Sequence, residues 1–396
     1  MNLLIEVWVF EILKGIGRFL LHPLVYIFLA MSVYLGYIRV KRERKRFHVR
    51  TFYGLTELKL LVPTGFLIGL IISVLTIVTG VVLPFYTIIL LACFTVLLAL
   101  IGKTRNLSPV FIIGLSFFTI IFLRRVPVEH AILTELQETS IHGMVVLLSL
   151  LVIAEGFLIY KKAHLQTSPE ILMSKRGQAV GAHISNKLWM VPVFLFIPGD
   201  ALSLKLDWWP LFSVDGEQYA LFLVPFGIGF SQKIKSMLPK KGAEFVGVRV
   251  ISLGILLVAL ALASLWFPVI AIMAISFAMV SRELISLQFR VLDDSNTFYY
   301  TRKKNGLIVL GIIPKSPADK MGIQIGEIVS KVNGSQVRDE EDFYQSLQKN
   351  RAFCKLEVIG LNGEMRFVQG ALYDGEHHEL GILFVQDEKK WKHEAV

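Results

Sequence analysis

Cysteine is nearly absent from this chain: Cys93 and Cys354 are the only two in 396 residues. One sits in an apolar run and the other in the polar carboxyl-terminal part, which excludes a disulfide framework and any metal-binding spacing. Both are read as packing residues. Charge is also scarce, at 18% of residues against 54% hydrophobic, and a soluble domain of this length has no use for that much apolar surface. The composition is that of a membrane protein. Catalytic motifs are missing too. The pair His378-Glu379 has Ile382 where a zinc protease would need its second histidine. Gly114-Leu115-Ser116-Phe117 supplies part of a rhomboid-type serine site and reads equally as close helix packing. No glycine-rich phosphate loop is present, so no catalytic residue, metal or cofactor is expected. No cleavable signal peptide is expected either, because Glu6 and Glu11 precede the first long apolar run and no small-residue cleavage site follows it.

What the chain does have is apolar runs. Those long enough to be spans are Phe19 to Ile38, Leu60 to Thr79, Leu83 to Ile101, Pro109 to Leu123, Met144 to Tyr160, Leu188 to Leu204, Tyr219 to Phe230, Val246 to Leu265 and Trp266 to Val280. Each is read as a helix, giving about 7 to 9 crossings at about 20 residues apiece. Tyr219 to Phe230 is short and broken by Pro225, Gly227 and Gly229, and the last two runs form either a tight hairpin or one crossing with an interfacial stretch. With the amino end outside, Arg39 to Lys59, Gly102 to Asn106, Lys161 to Lys187 and Gln232 to Glu244 face the cytoplasm and hold nearly all the loop cations. The opposite loops hold only Arg124, Arg125 and Lys205 beside several acids. Lysine and arginine in short loops set orientation, so the carboxyl-terminal domain is expected in the cytoplasm if the last pair is a hairpin. The net charge of +10 is densest in Arg39 to Arg50, directly after an apolar run, and reads as topology and anionic headgroup attraction rather than nucleic-acid binding. Inside the spans Glu155 is the main ionisable residue, either a proton or ion site or the partner of a basic group on another helix.

The polar end alternates strand-like runs, Gly306 to Ile313, Glu327 to Val332, Cys354 to Gly360 and Met365 to Tyr373, with a helical stretch from Glu340 to Gln348. Within it, SPADKMGIQIGEIVSKVNG (Ser316 to Gly334) resembles the PDZ domains of bacteria. In that resemblance Ser316 caps a short helix with Pro317 and Ala318 in its first turn and Gly322 ends it. Gly326 leads into a strand closed by a tight Asn333-Gly334 turn. Such domains take an extended peptide as an added strand. Two segments could offer the edge: Thr297 to Thr301, or Leu380, Gly381, Ile382 and Leu383, which look like a Gly-Leu-Gly-Phe carboxylate loop.

The stretch from Gly17 to Arg50, the several spans and the terminal PDZ-like domain together resemble the MinJ family of division-site determinants of rod-shaped Gram-positive bacteria. The resemblance implies a scaffold, not an enzyme. It would bridge the curvature-sensing coiled-coil protein DivIVA to MinD, which with MinC inhibits the division ring, at poles and septa of the cell membrane. The expected fold class is a polytopic α-helical membrane domain (1–285), a small α+β PDZ domain of the circularly permuted bacterial type (293–386) and a charged tail (387–396). Partners are expected to be division proteins and the lipid bilayer, with no nucleic acid, and self-association stays open. The alternatives are a PDZ-containing regulator of a membrane protease and a transporter with a sensory PDZ domain.

Overall fold

The computed structural model describes residues 2–127, 130–202, 218–350, 353–372 and 380–385. The charged tail lies outside the described residues. The membrane domain begins with α1 (Asn2–Leu21), α2 (Pro23–Phe47), α3 (Thr56–Leu61), α4 (Pro63–Thr79) and α5 (Phe85–Leu100). A single 3₁₀ turn (Thr104–Leu107) leads to α6 (Pro109–Leu123), α7 (Ala131–Gln137) and α8 (Ile141–Lys162). Three strands follow, β1 (Ser168–Met173), β2 (Ala179–Leu202) and β3 (Tyr219–Ile234), and then two long helices, α9 (Pro239–Ser264) and α10 (Val269–Ser295). Among the described residues five helical stretches are long and apolar enough to cross a bilayer, with α5 and α6 as shorter apolar helices. The last two form the hairpin, turning at Leu265 to Pro268. α10 runs unbroken past both 285 and 293 and ends at Ser295, with Asn296 as its C-cap.

Two expected helical spans are strands. Leu188 to Leu204 and Tyr219 to Phe230 fall in β2 and β3, which pair antiparallel from His183↔Ile234 to Pro198↔Tyr219. Residues 203 and 204 lie outside the described residues. Physically, the runs are continuous because both faces are covered, as in any strand buried on two sides. Twelve residues are too few for a helical crossing, about 18 Å, yet reach about 40 Å as a strand. Proline would break a helix interior, but here Pro192 faces Pro225 across the ladder, where both missing N–H groups point outward.

A bare sheet edge is not tolerated in hydrocarbon, and helices cover both edges of this hairpin. On the β2 side, the Ser73 hydroxyl accepts from Phe194 N at 2.9 Å and Thr76 Oγ1 donates to Phe194 O at 2.7 Å. One step on, Leu83 N donates to Phe196 O at 2.9 Å. On the β3 side, Leu221 N donates to the Glu11 carboxylate at 3.4 Å and Arg18 reaches Leu221 O at 3.5 Å. α4 comes this close because its contact stripe is small: a Cβ on Gly65 or Gly69 would overlap the carbonyl oxygens of Met190 or Pro192. Gly156, Gly247 and Gly254 let α8 and α9 approach in the same way.

Polar contacts fix which connections share an end. Glu43 with Ser168, Lys187 with Glu57, Arg105 with Glu283 and Lys235 with Asp294 gather the basic loops at one end. Thr87 with Thr139 and His142 with Ser264 mark the other. Glu155 resolves as the partner of a basic group. It is fully buried, takes two bonds from Arg282 on α10 at 2.8 and 2.9 Å, and accepts from Ser108 at 2.7 Å.

The PDZ domain sits on the basic end. Its elements are β4 (Leu307–Ile308), β5 (Gly311–Ile312), α11 (Pro317–Lys320), β6 (Ile328–Val332), β7 (Ser335–Gln336), α12 (Glu340–Gln348), β8 (Phe353–Ile359), β9 (Met365–Ala371) and β10 (Ile382–Leu383). One sheet runs β4-β6-β8-β9 with β7 beside β6, and β10 pairs with β5.

Candidate peptide-binding site

The motif residues build the frame of the site. The Ser316 hydroxyl accepts from Asp319 N at 3.3 Å, capping α11 with Pro317 and Ala318 in its first turn. Gly322 follows with φ +71° in open space, and Gly326 takes φ +93° under Leu238 of the membrane domain. The loop between them is held by Glu327, which is buried, accepts from Arg366 at 2.7 and 3.0 Å and from Gln324 N at 2.8 Å. Asn333 and Gly334 both have positive φ and close the two-residue turn between β6 and β7, the type I′ geometry that Asn-Gly favours.

Because the strain at Gly322 is all backbone, Gly322→Val is expected to destabilise the domain by about 1–3 kcal/mol. Cys354 is the reporter: it is buried in the PDZ core and burial pushes its thiol up to about 12. In a Cys93→Ser background, its alkylation rate should rise roughly 5- to 150-fold. An unchanged rate would place the helix end elsewhere.

Leu380 to Leu383 lie beside this frame. Leu380 O accepts from Ala318 N at 3.0 Å, which clamps the loop onto the start of α11. Gly381 has φ +83°, and a Cβ there would overlap Ser316. Gly381 O accepts from Ile313 N and Leu383 O from Leu310 N, each at 2.8 Å. Their peptide groups therefore serve β5, and the alternation of an antiparallel ladder turns those of Ile382 to the opposite edge. α12 lies against the same strand, its Phe343 ring 5.0 Å from Phe384. Side chains divide the same way: Leu380, Ile382 and Phe384 enter the PDZ core, whereas Leu383 and Val385 join Phe47 and Ile171 of the membrane domain. The other candidate edge, Thr297 to Thr301, is engaged elsewhere. Tyr299 N donates to Lys235 O at 2.9 Å and Tyr300 O accepts from Gly181 N at 2.8 Å.

That docking seam gave no signal in the sequence. Asp293, at the end of α10, accepts from Lys235 N, Ser236 N and the Ser236 hydroxyl at 2.8 to 3.1 Å. Next to it His183 is enclosed against the Tyr300 ring, 5.0 Å away, with Nδ1 2.9 Å from the Thr167 hydroxyl. Burial drives the His183 pKa from 6.5 down to about 4, against a smaller opposing effect from the Leu310 backbone. Between those values the unfolded state binds the extra proton, so stability from a neutral His183 is complete above pH 6.5 and is lost as pH falls towards 4. Acidification is therefore expected to speed proteolytic cleavage at the seam across that window, with His183→Gln flattening the response. An equal acid response in both proteins would remove His183 from the seam's titration.

Among the described residues no cluster of His, Cys, Asp or Glu could hold a metal ion. A PDZ-domain family model matches residues 308–359. The cell division topological determinant MinJ of Bacillus subtilis is 38% identical over 392 residues, 97% of each chain. Probable cell division topological determinants MinJ of Lacticaseibacillus paracasei and Lacticaseibacillus casei are each 32% identical over 88 residues, 22% of this chain and 24% of theirs. With spans, docking seam and PDZ domain in one chain and the near full-length match, this membrane protein belongs to the MinJ family of cell division topological determinants.

Proposed function

We propose that the chain is a non-catalytic membrane scaffold that positions division-site selection proteins. Its bundle fixes the PDZ domain at the basic end, which the positive-inside bias assigns to the cytoplasm. Strand addition at the Ile382 edge, beside α12, captures a peptide segment of a partner. The partners fitting this reading are a DivIVA-like coiled-coil protein at poles and nascent septa, and MinD, through which MinC is placed. The single observation that carries it is the β10 strand clamped by α11 on one side and flanked by α12 on the other.

Two fusions test the reading. A reporter active only outside the membrane, attached after Val396, should stay silent; strong activity would overturn the orientation. In dividing cells, the full chain should concentrate at septa and bring MinD with it, while a chain ending at Ser295 stays in the membrane and loses MinD. Uniform signal from the full chain, or undiminished recruitment by the truncated one, would defeat the scaffold reading through this domain. Gly381→Asp is unsuitable as a groove block, because the clash with Ser316 would report folding.

A further inference from the structure

A groove of about 690 Å³ opens where α2 leaves the apolar zone at the basic end. It exists because the chain after α2 folds back: a Cβ on Gly36 would overlap Gly54 O, so residues 50–55 lie tight against the helix. One wall is apolar and faces outward from the bundle, with Val33, Tyr37 and Leu55 all exposed. The rim is different. It carries Arg50, whose guanidinium lies 4.5 Å from the Tyr53 ring centroid, and Lys59.

Among the described residues neither Arg50 nor Lys59 has a carboxylate partner. The neighbouring acids are already committed: Glu57 to Arg39, and Glu43 to Thr51 N and Ser168. So an apolar wall, two tyrosine rings and two cations without a carboxylate partner line one groove at the end of α2. Those groups suit the chain, glycerol level and phosphate of a phospholipid.

We infer that this groove binds one anionic phospholipid, its phosphate between Arg50 and Lys59 and an acyl chain along Val33 and Tyr37. A larger groove along α5, lined by Ile88, Ala92 and Val96, has Arg18 as the one lysine or arginine among its lining residues and so lacks the paired cations of this site. The site requires neither the orientation nor the partner reading given above.

The test uses the full chain in nanodiscs of equal phosphatidylglycerol and phosphatidylcholine, with native mass spectrometry counting lipids retained after release. One phosphatidylglycerol should be retained in preference. Neutralising each cation should cost roughly five-fold in its retention, and about 25-fold for Arg50→Gln with Lys59→Gln. Val33→Trp, which fills the slot but keeps both charges, should lose the lipid as well. Lys103→Gln, an exposed cation on another loop, should change nothing. Equal retention of the two lipids by the unaltered chain would overturn the inference. So would retention of phosphatidylglycerol that both the double and the Val33→Trp variants leave intact, each melting like the parent.

Discussion

Arg282→Ala is expected to destabilise the membrane domain by about 3–5 kcal/mol, enough to abolish recovery of folded protein. Arg282 is 2% exposed and Glu155 is completely buried. Removing the guanidinium deletes both of its bonds to Glu155 and strands a carboxylate that, among the described residues, retains only Ser108 as a polar partner. The desolvation of that charge, rather than the lost attraction, sets the size of the effect. Glu155→Leu combined with Arg282→Met removes both charges and is expected to recover most of the loss, since apolar replacement of a buried pair is often neutral. Thermal unfolding of the purified protein in detergent reads both. A single variant as stable as the double one would mean that the pair contributes nothing.

The second large effect is steric. Gly65→Ala and Gly69→Ala each push a methyl group into a backbone carbonyl of β2, and neither α4 nor a strand registered over many pairs can shift alone. Overpacking costs about 1–3 kcal/mol per site and more where only backbone can yield. The pair together should prevent assembly of a monodisperse protein. Gly17→Ala on α1, where nothing lies within 4 Å, is the control and should be neutral or slightly stabilising, since alanine is the better helix former. Normal chromatographic behaviour of the Gly65/Gly69 double variant would mean that α4 does not touch β2 as described.

The two domains differ in how far the sequence disclosed them. Local chemistry governs the PDZ frame: Ser316-Pro317, Gly322, Gly326 and Asn333-Gly334 each demand a particular backbone conformation, and α12 covers Glu340 to Gln348 as its pattern indicates. The helical spans were legible because bilayer thickness sets their length. β2 and β3 were not, since a strand buried on both faces and a short buried helix share one hydropathy signature. Prolines 192, 198 and 225 and the frequency of Val and Phe were the available clue. At the site, Leu380 to Leu383 stood out by resemblance, whereas their clamp on Ala318 and the seam around His183 and Tyr300 depend on contacts over 60 or more residues of chain. No local pattern encodes those.

The buried hairpin also dictates an order of biogenesis. Glu11, Arg18, Ser73, Thr76, Val81 and Leu83, which satisfy its two edges, all precede it in the chain. Helices can enter the bilayer one at a time with their peptide groups already paired, but a strand hairpin cannot rest in lipid by itself. The ribosome therefore delivers the slot before the element that fills it. The paired apolar runs of β2 and β3 must wait at the membrane surface until α1 and α4 have closed around their place. Any delay in the first eighty residues leaves a long apolar ribbon outside, where membrane proteases and aggregation compete with insertion.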